Sequence, residues 1–420
     1  METLTRSLNE QKLLRKPGLF EKFCLKALIS LPKGRLTLTL PSGEVHHIGD
    51  GSGQISADIT IVNKDFFYKG AMYGDIGFAE AYMDGDWETT DITAVISFFI
   101  LNLEHASFMS GSKVKQLTVN MFRWLNKAYH AGRKNTLLGS KKNIAEHYDL
   151  GNDFYSLWLD KSMTYSSARF TSPDMSLEEA QYQKYDRLCQ ALQLKPTDKV
   201  LEIGSGWGSN AIHIAKYYGC TVDTVTISKE QYKYALQRVK EENLSHRVNV
   251  HLKDYRLIEG SYDKIVSIEM LEAVGAKYLD TYFAKCTSLL NKNGMLGLQV
   301  ITCADSRFEE LKRNVDFIQK HIFPGSLLPS VAAINKAVNK AGNLNLVDLV
   351  DFGQDYAKTL NIWHKNFNSK LTEVKKLGYS EKFIRKWNYY LCYCEAAFAM
   401  KNIFLMQLVY SKPNNILNSQ

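Results

Sequence analysis

The stretch that decides the fold reads Val200-Leu201-Glu202-Ile203-Gly204-Ser205-Gly206-Trp207-Gly208. An apolar run ends in three glycines at alternate positions, and residues 209–218 then have the pattern of a helix. A strand, a glycine turn and a helix N-terminus together form a nucleotide-binding site, because residues without a Cβ atom let a ligand approach the backbone closely. The same turn could also be purely structural, so further signals are needed.

The spacing of the glycines limits the ligand. A dinucleotide site requires G-x-G-x-x-G and an acidic residue about twenty positions later, whereas the next predicted strand, 221–226, ends in Thr-Ile-Ser. No P-loop lysine follows the glycines, which argues against a nucleoside triphosphate. S-Adenosylmethionine fits best, because its adenosine needs shape and hydrogen bonds but no phosphate cradle.

Strand and helix patterns alternate around this turn. The predicted strands are 199–203, 221–226, 248–252, 264–268 and 295–301. This order predicts an α/β fold with a doubly wound, Rossmann-like domain over residues 143–420, which has a helical insertion at 305–320 and a helical C-terminus. With S-adenosylmethionine as its ligand, such a domain would be a class I methyltransferase domain. In such a sheet the ligand lies at the carboxyl ends of the strands.

Residues 1–109 predict a separate small α+β domain. Residues 35–40 and 44–48 alternate around a Pro-Ser-Gly turn and indicate a hairpin. Residues 4–29 indicate a basic amphipathic helix, which could lie on a membrane or pack on its own domain. No catalytic constellation is visible here, so we expect this domain to have a binding role.

The charge pattern suggests an anionic partner. Lys and Arg exceed Asp and Glu by 52 − 44 = 8, which suits a membrane surface or a nucleic acid. A basic linker, 110–142, mixes Lys and Arg with aromatic residues. A simple solvated linker is an equally good interpretation of that segment.

The seven cysteines contain no CxxC pair, which predicts reduced thiols, no disulfide framework and no metal site. The longest apolar run, 94–101, is too short to span a bilayer. We therefore expect a cytoplasmic protein that is peripherally associated with the inner face of the membrane.

Several motifs, taken in order, resemble those of the cyclopropane-fatty-acyl-phospholipid synthases and the related mycolic acid methyltransferases. They are His147-Tyr148-Asp149-Leu150-Gly151-Asn152-Asp153-Phe154-Tyr155, Thr164-Tyr165-Ser166, the glycine turn, Thr226-Ile227-Ser228-Lys229-Glu230-Gln231 and Ile322-Phe323-Pro324-Gly325. Each motif is weak alone. Together and in this order they are highly specific. The resemblance covers nearly all of the chain, and it implies that residues 1–109 form the small N-terminal lipid-binding domain of the bacterial phospholipid enzymes.

The resemblance implies that the methyl group of S-adenosylmethionine is transferred to the cis double bond of an unsaturated phospholipid acyl chain. A carbocation forms, and loss of a proton closes a cyclopropane ring. An alkene is a poor nucleophile, so catalysis depends on positioning it against the methyl group. The cation needs dry walls with aromatic faces. In this family bound bicarbonate is the base.

The resemblance also implies roles for particular residues. Glu272 organises the bicarbonate, Ile301 contacts it through the backbone, and Tyr356 reaches the same anion. Cys394 matches a late cysteine proposed as a catalytic group, although a buried structural thiol is the better interpretation. Glu269 is interpreted as a salt-bridge or helix-start residue.

Two positions depart from the family pattern. Ser167 stands where many members have cysteine, and Gln299 stands where they have histidine. Gln can donate a hydrogen bond but cannot titrate near neutrality as His does. Bicarbonate is still expected, but the product could be a methylene-branched chain, as in relatives that make 10-methyl fatty acids with a partner reductase.

For the cofactor, the resemblance implies a set of contact residues. They come from Tyr165, Ser166, Glu202, Gly204, Ser205, Gly206, Gly208, Thr226, Gln231, Tyr255 and Arg256. Arg256 departs from a commonly acidic residue beside adenine.

Two rival classes remain open: a methyltransferase for a small molecule or nucleic acid, and a lipid-transfer protein with a relic cofactor site. The N-terminal domain and the aromatic C-terminal helices argue against the first, and the intact glycine turn and Glu272 argue against the second. We therefore expect a membrane lipid as partner and no nucleic acid, and we leave a homodimer open.

Overall fold

The computed structural model describes residues 18–105 and 150–415. They form two compact units: 18–105 with 379–400, and 150–378 with 401–415. The first part of the predicted basic helix, the predicted linker 110–142 and the motif segment 147–149 lie outside the described residues. Within the described ranges, no helix is both long enough and apolar enough to cross a membrane.

The first unit carries the predicted hairpin. Its elements in chain order are α1 (Leu19–Ile29), β1 (Arg35–Thr39), β2 (Val45–Ile48), β3 (Ser56–Ile61), α2 (Asp65–Asp84), β4 (Trp87–Glu88) and α3 (Ile92–Leu101). The strand order is β2-β1-β3-β4, and β1 pairs with β2 in antiparallel fashion. The alternation of apolar and polar residues predicted this hairpin. Leu36 and Leu38 are buried in the core, as that alternation requires. Gly74, with φ 63°, kinks α2.

The second unit is built on a seven-stranded sheet. Its strands are β5 (Lys199–Ile203), β6 (Thr221–Thr226), β7 (Val248–Leu252), β8 (Tyr262–Ile268), β9 (Leu290–Thr302), β10 (Asn345–Asp351) and β11 (Phe404–Ser411). The order is β10-β11-β9-β8-β5-β6-β7, and only β11 runs antiparallel to its neighbours. The five predicted strands are confirmed, β8 and β9 being longer than expected. Strands β10 and β11 are not among those predicted from the sequence.

Helices cover both faces of this sheet. They are α4 (Asn152–Ser156), α5 (Leu177–Ala191), α6 (Ser209–Tyr218), α7 (Lys229–Glu241), α8 (Leu279–Leu289), α9 (Asp305–Arg313), α10 (Phe317–His321), α11 (Val331–Ala341), α12 (Gly353–Ser369) and α13 (Leu371–Lys376). Adjacent residues such as Val200 and Leu201 enter two different buried clusters, as strand alternation requires. The doubly wound arrangement is thus confirmed.

The last helix, α14 (Glu381–Ala399), belongs to the first unit. Arg385 donates from Nη2 to the carbonyl of Trp87 over 3.0 Å and from Nη1 to Glu88 over 2.9 Å. The Tyr389 ring lies 5.9 Å from that of Tyr82. The predicted domain 143–420 is therefore interrupted at 379–400, because the apolar side of α14 packs on α2 and α3. A helical period predicts a helix but not its packing partner.

Candidate active site

The glycine turn follows β5 at its carboxyl end. Gly204, Gly206 and Gly208 have φ values of 98°, 49° and 91°, in the region that favours glycine. A Cβ on Gly204 would lie 3.2 Å from the Met270 side chain, and one on Gly208 would lie 3.1 Å from Ala235. A Cβ on Gly206 would meet no described atom within 4 Å. The turn therefore leaves open space at Gly206, where a ligand can approach the backbone.

The end of β6 contributes the second part of the cofactor site. The Thr226 hydroxyl donates to Gln231 Oε1 over 2.8 Å, and the backbone N–H of Ser228 donates to Thr226 Oγ1 over 3.1 Å. Ser228 also caps α7. These contacts bring Thr226 and Gln231 together beside the glycine turn, whose Ser205 N–H donates to the carbonyl of Val225 over 3.0 Å.

Glu202 stabilises the turn from within the sheet. Its carboxylate accepts hydrogen bonds from Asn210 Nδ2 at 2.7 Å and from the Thr224 hydroxyl. Burial raises the pKa of Glu202 to about 7. Both of its oxygens have protein partners, so Glu202 joins β5 to α6 and β6 instead of presenting a carboxylate to a ligand.

Arg256, which was expected beside adenine, also has a protein partner in the structure. Its guanidinium pairs with Asp254, with distances of 2.8 Å from Nε to Oδ1 and 2.7 Å from Nη2 to Oδ2. It also lies 5.6 Å from the centre of the Tyr255 ring. Asp254 thus balances the positive charge of Arg256 at the end of β7.

Tyr165 belongs to an aromatic cluster. Its ring centre lies 5.4 Å from those of Tyr155 and Trp158, and 5.5 Å from that of Trp363. Such a wall is suited to a cation, because aromatic faces carry negative partial charge. The adjoining Ser166 hydroxyl accepts a hydrogen bond from Lys184 Nζ over 2.6 Å.

Glu269 is the centre of the second group of polar contacts. It directly follows β8 and has φ 47°, which is uncommon for a residue with a side chain. Glu269 Oε1 accepts from the backbone N–H of Ser167 at 2.9 Å and from Gln299 Nε2 at 2.8 Å. Glu269 Oε2 accepts from the Tyr356 hydroxyl at 2.8 Å. Three residues that the resemblance assigned to bicarbonate therefore bind this carboxylate.

Glu272 lies in the short 3₁₀ turn 271–273 and makes a different contact. The backbone N–H of Ile301 donates to Glu272 Oε1 over 2.5 Å. Glu272 Oε2 is buried and has no hydrogen-bond partner among the described residues. Burial, together with the negative charge of Glu269, raises the pKa of Glu272 to about 8. Both effects favour the neutral form of Glu272.

A buried lysine, Lys184, opposes the charge of Glu269. Burial lowers the pKa of Lys184 to about 7, and its attraction to Glu269 acts in the opposite direction. Burial raises the pKa of Glu269, while Lys184, Gln299, Ser167 and Tyr356 favour its charged form. Donors on both oxygens and a nearby ammonium are the surroundings that an ionised carboxylate requires.

Residues behind the cluster fix the direction of its donors. Gln407 Nε2 donates to Gln299 Oε1 over 3.0 Å, which turns the Gln299 amide N–H₂ toward Glu269. Arg187 Nη1 in turn donates to Gln407 Oε1 over 3.1 Å. The Ala168 N–H donates to Thr359 Oγ1 over 3.1 Å, which ties the Ser167 loop to α12. Thr359 and Tyr356 are three residues apart and share one face of that helix.

Bicarbonate does not fit among these residues as they are arranged. The Ser167 N–H, the Gln299 amide and the Tyr356 hydroxyl already donate to Glu269. A bicarbonate ion placed beside the Glu269 carboxylate would bring two buried negative charges together, and their repulsion costs free energy.

Glu269 and Lys184 are not among the site residues predicted from the sequence. Glu269 carried the same signal as Glu272, since it follows the end of a predicted strand, where ligands bind in such sheets. Lys184 carried none, because its helical pattern does not indicate burial. Cys394 lies in α14 of the first unit and is partly exposed, unlike the buried thiol expected.

Comparison with known proteins identifies the family. The family model described as "Mycolic acid cyclopropane synthetase" matches residues 136–408. The chain is 38% identical to the cyclopropane-fatty-acyl-phospholipid synthase of Escherichia coli K12, covering 86% of this chain and 89% of that protein. It is 37% identical to the tuberculostearic acid methyltransferase UfaA1 of Mycobacterium tuberculosis, covering 78% and 76%.

A solved structure supports the same assignment. The mycolic acid cyclopropane synthase CmaA1, complexed with SAH and CTAB, is 29% identical and covers 65% of this chain and 98% of its own, with a TM-score of 0.60. SAH is what S-adenosylmethionine becomes after it gives up its methyl group, and the open space at Gly206 fits such a ligand. The chain belongs to the mycolic acid cyclopropane synthetase family and is an S-adenosylmethionine-dependent methyltransferase with the class I fold.

Proposed function

We propose that this protein methylates the cis double bond of an unsaturated phospholipid acyl chain and closes a cyclopropane ring by removing a proton. One observation carries the proposal: the buried carboxylate cluster adjoins the cofactor turn. Met270, which lies between Glu269 and Glu272, is the residue that a Cβ on Gly204 would meet at 3.2 Å. The name of the Escherichia coli relative supports a phospholipid as the substrate.

Each part of the site has a physical task. S-Adenosylmethionine supplies an electrophilic methyl group, and Gly204–Gly208, Thr226, Gln231, Tyr165 and Ser166 would hold it. The aromatic cluster around Tyr165 excludes water and offers negative ring faces to the positive charge that develops on the acyl chain. A buried base then removes the proton.

A second candidate product is a methylene-branched chain. Ser167 and Gln299 replace the cysteine and histidine of many family members, and both contact Glu269. A base held at a different position would remove the proton only after the positive charge has moved to another carbon of the acyl chain. The relative UfaA1 is named a methyltransferase and not a cyclopropane synthase, which supports this candidate.

The first unit is suited to a lipid surface. In α1 the side chains of Leu19, Phe20, Phe23 and Ile29 are all exposed, and Leu19 is 80% exposed. Lys22 and Lys26 are exposed on the same short helix. Apolar side chains beside lysines suit an anionic membrane surface. We propose peripheral attachment there, at the inner face of the membrane.

Attachment can be measured by sedimentation with vesicles. We expect more binding to vesicles of phosphatidylglycerol than to vesicles of phosphatidylcholine, and weaker binding as salt screens the charges. Leu19→Asp should weaken binding to both, since it removes an inserted apolar group. Equal binding of the two vesicles at every salt concentration would contradict the electrostatic part.

The reaction is tested with vesicles of dioleoylphosphatidylglycerol and S-adenosylmethionine that carries a CD3 group. A ring and an exocyclic methylene both keep two deuterium atoms, and only the methylene is cleaved by ozone. The same vesicles with saturated chains are the control. Absence of any labelled lipid, with S-adenosylmethionine binding intact, would contradict the proposed function.

A further inference from the structure

We propose that the carboxylate of Glu269 is a built-in anion that takes the place of bicarbonate and serves as the base of this enzyme. The inference rests on the proposed function, because a base is needed only if a proton leaves the methylated acyl chain. It differs from what the family resemblance implies, in which a dissociable anion performs this step.

Three hydrogen-bond donors converge on Glu269. A backbone N–H, an amide N–H₂ and a phenol O–H come from three distant parts of the chain and meet at one carboxylate. Their distances of 2.8 to 2.9 Å are those of well-formed hydrogen bonds. A carboxylate and a bicarbonate ion share a planar O–C–O group, so the same donors suit either one.

The backbone conformation of Glu269 also points to a functional role. Its φ of 47° places the residue in the left-handed region, which costs free energy for any residue with a side chain. The backbone N–H of Glu269 donates to the carbonyl of Gln299 over 2.8 Å, which holds the residue there. A strained, buried and charged residue at a strand end is what a functional site contains, and packing alone would not require the charge.

The two glutamates differ in the hydrogen bonds that they accept. Glu269 accepts three, which favour its charged form although burial raises its pKa. Glu272 accepts one on Oε1, and its Oε2 has no partner among the described residues. Hydrogen bonds to the charged form of a carboxyl group stabilise that form, so Glu269 is better placed than Glu272 to act as a base.

In the proposed step, each bond that forms is matched by one that breaks. The alkene π electrons form the bond to the transferred methyl carbon, and the sulfonium becomes a neutral thioether. The adjoining carbon of the chain becomes cationic. A C–H bond of the new methyl group breaks, its electron pair closes the ring on the cationic carbon, and the proton passes to the Glu269 carboxylate. Glu269 then returns the proton to solvent after the product leaves.

Binding of bicarbonate tests the inference without reference to turnover. Glu269→Gly removes the carboxylate and suits the positive φ, so the Ser167, Gln299 and Tyr356 donors become available to an external anion. In ¹³C-bicarbonate NMR titrations we expect line broadening with Glu269→Gly and none with the wild-type protein. Binding by the wild type at the same level as by Glu269→Gly would overturn the proposal.

Activity in buffers purged of carbon dioxide supplies the second arm. The wild-type enzyme should methylate dioleoylphosphatidylglycerol equally well with and without added bicarbonate. Glu269→Gly should be inactive in purged buffer and should regain activity with bicarbonate or formate. Glu241→Gly, at an exposed position at the end of α7, is the control for the substitution itself. A wild-type enzyme that needs bicarbonate, or a folded Glu269→Gly that binds S-adenosylmethionine but is not rescued, would overturn the proposal. A wild type inactive on lipid in both buffers would instead reject the proposed function.

Discussion

The glycine turn after β5 and the carboxylate cluster after β8 lie at the ends of neighbouring strands, but they are specified in different ways. The turn depends on the backbone of nine consecutive residues and on positive φ at three glycines. The cluster depends on hydrogen bonds that join Glu269 to residues 102, 30 and 87 positions away. A local motif identifies the cofactor, whereas only the folded chain identifies the base.

The largest expected effect concerns the local motif. Gly206→Val should reduce S-adenosylmethionine affinity by about 10²-fold or more, because a branched side chain at φ 49° is strained and fills the space left open there. Isothermal calorimetry measures it, and circular dichroism checks the fold. Unchanged affinity in a folded variant would show that the turn does not contact the cofactor.

The next effect concerns the long-range support of the cluster. Gln407→Leu removes the donor that orients the Gln299 amide, so turnover should fall about tenfold while cofactor affinity stays the same. In a Glu269→Gln background the same change should have little further effect, since Gln407 acts through Glu269. Fully additive losses in the double variant would contradict that coupling.

Glu272 should matter less than its neighbour. Glu272→Gln resembles the neutral acid and keeps an oxygen to accept the Ile301 N–H. Turnover at neutral pH should therefore fall by less than about tenfold. A loss as large as that of Glu269→Gln would mean that Glu272 is the base and that the roles assigned to the two residues are reversed.

The last effect is on stability and not on turnover. A Glu272 pKa of about 8 in the fold, against 4.5 for an exposed glutamate, means that the folded state binds more protons between these values. Wild-type stability should thus fall relative to Glu272→Gln as pH rises through this window, by at most about 1.4 kcal/mol per pH unit. Urea unfolding at several pH values measures the difference. A difference that stays constant across the window would contradict the raised pKa.

The same contrast explains how far the sequence could be interpreted. Strands β5 to β9 are buried on both faces or alternate clearly, and their periods predict them. β10 and β11 follow a segment dominated by helical patterns. β10 is largely exposed and alternates only weakly, so its sequence does not predict a strand. α14 matches the predicted helical C-terminus, but its partners α2 and α3 are about three hundred residues away in sequence, so the sequence does not predict that it packs in the first unit.

In the site, the family resemblance named the three donors but not the acceptor that they share. Ser167, Gln299 and Tyr356 do come together, at a carboxylate supplied by the chain. Glu269 was interpreted as structural because a single acidic residue at a strand end has many ordinary roles. Its function depends on a convergence that spacing along the chain does not encode.

The most direct test of the central claim is the turnover of Glu269→Gln in buffer purged of carbon dioxide. Gln keeps the size of the side chain but is a far weaker base, so turnover on dioleoylphosphatidylglycerol should fall by about 10²-fold or more, with S-adenosylmethionine affinity nearly unchanged. Added bicarbonate should not restore it, since the Gln side chain still fills the site. A Glu269→Gln enzyme that turns over at the wild-type rate would contradict the account.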